Sequence, residues 1–420
     1  MSEETMIDEI LLRKIIKSNV GEIVDVEIKD LCDAGDNYIG DLKRTTFTHI
    51  VDDKNQSYDI VIKLAKKVNT PGMNMSGMLF SKEINFYMQL VPKIKEWQEN
   101  KFGSILYHLP FPEAFFGSEE QNIVALDNLK KHGFEMADRR FGLNFEQCCT
   151  VLEKIAAFHA LSRSYIKDYG EKKFISDSKY LEDIFYELLQ KEEVMKTGRD
   201  VHNSIMTSIY DVVADAYPEE ISDIENLIDY CKKSFVATNI KNYCKPNETF
   251  NVVCHGDLWT NNILFKFTES NVTDINFVDF QMCRYCTPAV DLIYFIWLSS
   301  NTDVLVNRQD ELLELYYKTL IETAEKLTLE ISYSLQNLKS DYYGFLDFGI
   351  PQCLKVILFL SAKKEDALTA EEQGQSSSSS PEESIGKFKK KADNLAKNAN
   401  DFVKERIISI ARYGKKMGLY

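Results

Sequence analysis

The sequence predicts an α+β protein in two parts, a small mixed β-sheet lobe over residues 1–128 and a large, mainly helical lobe over 129–420. Three observations carry that reading. The first 130 residues alternate in short apolar–polar runs, the chain from about 144 onward has helical spacing, and strand-like runs return only near 262–280.

The strands come first. "GEIVDVEIKDLC" (21–32), "TTFTHIV" (45–51) and "SYDIVIKLAK" (57–66) are rich in β-branched or aromatic residues and are broken by Asp, Gly and Asn clusters. After a loop with Gly and Met (70–78) the period changes. Phe80, Ile84, Tyr87, Met88 and Val91 form one stripe of an amphipathic helix. Two more runs, "PEAFFGS" and "NIVALDNL", complete the order of three strands, a helix and two strands.

In the second part Val151, Leu152, Ile155, Phe158 and His159 share a helix face, and 179–196, 204–216 and 219–238 have similar spacing. His159, on that apolar face, reads as a satisfied core histidine. Strands return as "NILFKF" (262–267) and "DINFVDF" (274–280), and "TPAVDLIYFIWLSS" starts a helix at Thr-Pro. The stretch "EEQGQSSSSSPEE" (371–383) is too polar to order itself by burial and is expected to be a mobile loop.

Bulk properties narrow the function classes. Against 65 acidic residues stand 50 basic ones, a net charge of −15, which argues against nucleic acid as a partner. The start "MSEETMIDEI" lacks the pattern of a signal peptide, and "LIYFIWL" (292–298) is far shorter than a membrane span. Nine scattered cysteines, with one CxxC at Cys283 and Cys286, read as thiols of a reducing compartment, so a cytoplasmic location is expected.

Candidate chemistry sits in three places. On the strand "DIVIK", Tyr58, Ile60, Ile62 and Leu64 face one way, while Val61 and Lys63 face the other. Glu83 borders the buried stripe of the following helix, and a strand lysine paired with a helix glutamate fixes an ammonium on ATP phosphates. In "CHGDLWTNNILF" (254–265), Asp257 and Asn262 have the spacing of a phosphotransfer loop: a carboxylate at the attacking hydroxyl and an amide on the metal. "FVDF" puts Asp279 at a strand end as a further hard oxygen ligand for Mg²⁺. Cys254 and Trp259 read as packing residues.

These blocks carry a resemblance. "HGDLWTNNILF", "FVDFQMCRY" and "PAVDLIYF", with "GDNY", "VALDNL" and "AAFHALS", resemble the ecdysteroid kinase-like (CHK kinase-like) family, related to choline and aminoglycoside kinases, over roughly residues 30–300. The resemblance implies a protein-kinase-like two-lobe fold and an ATP- and Mg²⁺-dependent enzyme that phosphorylates a hydroxyl of a small molecule, ecdysteroids being the named substrates. It implies Asp257 as catalytic base, Asn262 and Asp279 as Mg²⁺ ligands, and Lys63 on ATP phosphate with Glu83 as its partner. Gly35, Asp36, Asn37 and Val61 join the nucleotide set, with Asp127 at the hinge, and His255 and Asp291 lend structural support. Asp291 has a second reading of equal merit, a helix N-terminal carboxylate favoured by the dipole.

The departures are informative. The nucleotide loop "DAGDNYIG" has only Gly35 and Gly40, and Gln281 follows Asp279-Phe280. The tripeptide His-Gly-Asp lacks the arginine that reads a phosphorylated loop, and only eight residues (280–287) separate Asp279 from Pro288, so a protein substrate is disfavoured. The expected acceptor is a small, fairly apolar alcohol held by segment 165–250, where Tyr165, Tyr169, Phe174, Tyr180, Phe185 and Tyr186 offer aromatic surface, although most of these are expected simply to pack the lobe. The alternatives are a catalytically inactive relative that binds a small ligand, and a choline-type kinase, for which no cation pocket is evident.

Overall fold

Strand alternation builds the N-terminal third of the chain. The computed structural model describes residues 7–31, 40–65, 75–138, 141–183, 192–234, 245–269, 271–360, 390, 394–395 and 399–420. Gly35, Asp36, Asn37, Phe185, Tyr186 and the stretch 371–383 lie outside the described residues. Contacts divide the chain into two units: one holds the described residues up to Glu135 together with Asn276–Gln281, the other holds the remaining described residues.

In the first unit, α1 (Glu9–Ile16) starts at Asp8, whose carboxylate accepts from the Leu11 N–H at 2.8 Å. β1 (Glu22–Asp30), β2 (Gly40–Val51) and β3 (Lys54–Ala65) follow, the last two joined at Asp52-Asp53, both at positive φ (49° and 59°) as a tight hairpin turn requires. Next come α2 (Met75–Asn85), a π-helical turn (Phe86–Leu90), α3 (Val91–Phe102), β4 (Ala114–Ser118) and β5 (Ile123–Asp127), with β6 (Phe134–Met136) at the boundary. The sheet is antiparallel, in the order β1-β2-β3-β5-β4.

The predicted alternation of β3 holds: Ile60, Ile62 and Leu64 join Phe47, Ile123 and Ala125 in one core. Leu11, Leu12 and Ile15 of α1 cover that core. Each such side chain is worth about 1.5–3 kcal/mol on burial. α1 carries only a short apolar stripe behind an acidic N-terminus, too brief for helical periodicity to stand out in the sequence.

The second unit opens with α4 (Phe145–Tyr169), started by a capping box in which Asn144 and Gln147 satisfy each other's backbone N–H groups. α5 (Glu171–Asp177) and a 3-10 turn (Lys179–Leu181) come next, then α6 (Glu192–Ala214) and α7 (Ile221–Ser234). The helix expected over 179–196 is therefore interrupted at its start, where the chain makes the 3-10 turn. β7 (Val252–Cys254) pairs antiparallel with β10 (Arg284–Cys286), while β8 (Ile263–Thr268) lies beside β9 (Asn271–Phe277). Helices α8 (Ala289–Ser299), α9 (Thr302–Asn307), α10 (Gln309–Lys326), α11 (Leu335–Gly344), α12 (Leu346–Leu360) and α13 (Asp401–Lys416) complete the unit.

α8 is apolar on nearly every face and is buried, as a central helix must be. Its C-terminal carbonyls are capped by the buried Arg406 of α13, which donates to the Trp297 carbonyl at 2.6 Å and to that of Ser300. Among the described residues, no helix is long and apolar enough to cross a membrane.

Candidate active site

In the first unit the alternation that sends Ile60, Ile62 and Leu64 to the core leaves Lys63 on the opposite face of β3. That face is covered as well, so Lys63 is only 3% exposed and Glu83, from α2, 1%. The ammonium lies 2.7 Å from Glu83 Oε2 and 2.7 Å from Asp279 Oδ1, and 5.5 Å from the centre of the Phe80 ring. Burial alone lowers the pKa of Lys63, but the carboxylates of Asp279 and Glu83 outweigh it and hold the ammonium charged. Burial pushes the Glu83 carboxyl up to about 7; Lys63 opposes that shift and Asp279 adds to it.

Asp279 adopts φ +68°, a left-handed conformation that a non-glycine residue holds at a cost of about 1 kcal/mol or more. Its neighbours fix it there. Phe280 donates its N–H to Glu83 and stacks face to face on Phe86, centroids 3.7 Å apart. Tyr87 and Phe111 close in edge-on, and Phe277 N–H donates to the Pro110 carbonyl at 2.8 Å. Phe86, the first residue of the π-helical turn after Glu83, is buried beside the predicted stripe of Phe80, Ile84 and Tyr87. A period of 3.6 could not reveal it.

In the second unit the loop after β7 carries Asp257 and Asn262. The Asn262 amide nitrogen donates to the Asp257 carbonyl at 2.8 Å and to its Oδ2 at 3.0 Å. That orientation leaves the amide oxygen as the atom turned away from Asp257. Gly256, at φ +81°, is required: a Cβ there would lie 2.0 Å from the Met282 carbonyl oxygen. His255, fully buried, accepts from the Asp257 N–H through Nδ1 at 3.3 Å.

Asp291, in the first turn of α8, holds this loop from within the core. Its Oδ2 accepts from the His255 N–H at 2.7 Å and its Oδ1 from the Gly256 N–H at 2.8 Å. His159 stands 3.2 Å from Oδ2 through Nε2 and 2.7 Å from the Tyr316 hydroxyl through Nδ1. Burial raises the Asp291 pKa, but the His159 hydrogen bond and the charge and N–H groups around it win, leaving it below the usual range. His159 is thus a satisfied core histidine, and it also supports the carboxylate beneath the loop. Cys254 joins His159 and Asp291 with donor atoms within 4.8 Å, yet its thiol already contacts the Cys286 and Thr287 carbonyls.

The remaining predicted residues are placed as follows. Val61 is half-buried on β3, on the same side as Lys63 and between Arg44 and Leu126. Asp127 ends β5; its N–H donates to the Glu113 carbonyl at 2.8 Å, and its carboxylate pairs with Lys131 and with His132 at 2.7 Å. Tyr165 and Tyr285 each pack edge to face with Phe174 in the helical unit, while Tyr180 lies near Cys283. The described cysteines, Cys283 and Cys286 among them, are free thiols.

Chemically, the first unit offers a buried ammonium clamped by two carboxylates, and the second a carboxylate–amide pair on a braced loop. Asp279 and the Asn262 amide oxygen are hard donors of the kind Mg²⁺ prefers. Comparison with known proteins bears on this. Among curated proteins none matches the sequence. Solved structures with detectable similarity include APH(2″)-IIia in complex with GDP and kanamycin, at 13% identity and TM-score 0.39, covering 94% of this chain and 100% of that one. The GDP complex of wild-type aminoglycoside 2′-phosphotransferase-IIIa matches at 11% and 0.40, covering 85% and 99%. A choline/ethanolamine kinase family protein from Mesorhizobium loti matches at 11% and 0.31, covering 90% and 94%. Scores this low carry no argument about activity. The sequence profile of the ecdysteroid kinase-like family, by contrast, matches residues 34–329, more than half of the sequence, and the chain belongs to that family.

Proposed function

We propose that this chain is an ATP- and Mg²⁺-dependent kinase that transfers the γ-phosphoryl group to a hydroxyl of a small apolar molecule, an ecdysteroid or a xenobiotic alcohol. The observation that carries the reading is the buried triad of Lys63, Glu83 and Asp279, with both ion pairs at 2.7 Å although Asp279 lies 216 positions beyond Lys63. An ammonium has three donors, and two are committed here, so the third is kept for a phosphate oxygen. Residues 1–128 then serve as the nucleotide-binding lobe, with Gly35, Asp36, Asn37, Val61 and Asp127 in the nucleotide set, and 129–420 as the catalytic and substrate lobe.

Asp279 and Asn262 are the residues that would hold Mg²⁺, which when bound would neutralise phosphate charge. Asp257 orients the acceptor hydroxyl and takes its proton as the acceptor oxygen bonds to the γ-phosphorus. The bond from that phosphorus to the bridging oxygen breaks, and ADP leaves with the electron pair. Membership in the family supports phosphotransfer to small molecules in general, and free thiols fit a cytoplasmic setting. The test is incubation with ATP, Mg²⁺ and a panel of ecdysteroid and xenobiotic alcohols, with mass spectrometry to find a phosphate added to one of them. Asp257→Asn should still bind ATP by calorimetry but transfer nothing; equal turnover by that variant would sink the assignment.

A further inference from the structure

A buried ion pair apart from both clusters joins two segments of the second unit. Arg284 opens β10, and Asp183 lies just beyond the 3-10 turn Lys179–Leu181. Arg284 Nη1 stands 2.8 Å from Asp183 Oδ2, with side chains 6% and 4% exposed. A pair this desolvated contributes little net stability compared with apolar side chains of the same size, because removing two ions from water offsets their attraction. Its use is therefore sought in what each end holds.

Arg284 Nε donates to the Met282 carbonyl at 3.2 Å. That carbonyl is the group that forbids a side chain at Gly256, and a Cβ on Gly256 would also come within 3.0 Å of Arg284 Nε. Across the β7–β10 pair Arg284 sits opposite Cys254, the last residue before the loop. The guanidinium thus lies under the backbone step that delivers Asp257. At the other end, Tyr180 is half-buried near Cys283 and the 3-10 turn Lys179–Leu181 contacts β10, so the stretch that leads to Asp183 is packed against that strand.

We propose that Arg284 and Asp183 are a positioning pair that fixes the Gly256–Asp257 step and makes its alignment depend on the docking of residues 178–183. The role of Asp257 in this proposal rests on the kinase reading; the loop it belongs to is held whatever that role is. The fork of the guanidinium is essential, because Nε serves the Met282 carbonyl while Nη1 serves Asp183. A lysine keeps the charge but carries all its donors on one nitrogen at the end of a flexible stem, so it does not reproduce the two separated nitrogens that meet the Met282 carbonyl and Asp183.

The experiment uses the full chain and three variants, Arg284→Lys, Asp183→Asn and Asp183→Glu. Amide hydrogen exchange is read over residues 253–262, where the His255 and Gly256 amides are bonded to Asp291. Steady-state kinetics are read for Mg²⁺-dependent ATP hydrolysis with water as the acceptor. Arg284→Lys and Asp183→Asn should speed exchange of this loop by about tenfold or more. They should lower kcat by roughly 10–100-fold through misplacement of Asp257 while KM for ATP changes by less than about twofold. Asp183→Glu should recover most of both losses. Unchanged exchange in the two disruptive variants overturns the pair, as does a kcat retained within about twofold, or a fall matched by an equal change in KM. Should Arg284→Lys fail to fold, Asp183→Asn decides by the same readings. A wild-type protein that neither binds nor hydrolyses ATP would defeat the kinase reading alone, and the exchange measurement would still rule on the pair.

Discussion

Asp291→Asn separates the two roles open to that carboxylate. As a helix N-terminal charge it would contribute only about 0.3–1 kcal/mol. As the brace of the loop it accepts the His255 and Gly256 N–H groups on separate oxygens, at 2.7 and 2.8 Å, inside a fully buried site. Asparagine has one acceptor oxygen, so one backbone N–H would face an amide NH₂. Leaving that donor unsatisfied costs about 1–3 kcal/mol, and the surviving bond loses about 1 kcal/mol of charge assistance. The sum is roughly 2–4 kcal/mol, which for a unit of this size lowers Tm by roughly 5–15 °C. Thermal unfolding at neutral pH, followed by circular dichroism, checks it. The sign of the pH dependence follows from the lowered folded pKa: the contribution is complete above the ordinary value of 3.8 and is lost as pH falls through the depressed one. The gap between wild type and variant should therefore close only in strong acid. A Tm drop under about 3 °C would refute the brace and leave the dipole account standing.

Three further outcomes are expected. Lys63→Met leaves Glu83 and Asp279 without their cation, so the variant should lose about 3–5 kcal/mol of stability and most of its affinity for Mg²⁺·ATP by calorimetry; affinity kept within about threefold would contradict the phosphate role. Gly256→Ala places a methyl against the Met282 carbonyl at positive φ, and chemical denaturation should show a loss of about 2 kcal/mol or more. His202, which contacts the Cys231 carbonyl at 2.9 Å, is depressed from 6.5 to about 4 chiefly by burial. The unfolded chain takes up this proton first, so about 3 kcal/mol is lost as pH falls from 6.5 to about 4; His202→Gln should flatten that limb of the stability profile.

What the sequence disclosed depended on how local each signal was. The alternation of Ile60, Ile62 and Leu64 is read within five residues, and it correctly set Lys63 apart from the core. The spacing of Asp257 and Asn262 is equally local, and their hydrogen bonds follow from it. Nothing local announces that Asp279 would meet Lys63 directly, or that Asn276–Gln281 would cluster with the first unit rather than with the chain around it. Phe86 lies off the helical stripe and is nonetheless a core residue, because residues 82–87 are covered on every side of the helix. Arg284 and Asp183, 101 positions apart, carry no mutual spacing at all.

The two residues with left-handed backbone beside the candidate site, Asp279 and Gly256, are accommodated in opposite ways. At Gly256 the requirement is steric, and the absence of a side chain meets it at little enthalpic expense. At Asp279 the side chain itself is needed for Lys63, so the conformation must be enforced by neighbours: the Phe280 N–H on Glu83, the Phe86 stack and the Phe277–Pro110 bond. Glu83 therefore has two tasks, since it bonds the ammonium and also the backbone of the residue after Asp279. A glutamine there could still accept from Phe280 but would replace one of the two carboxyl groups facing Lys63 with a group that cannot ionise. Strain at Asp279 and charge balance at Lys63 are thus coupled through a single carboxylate.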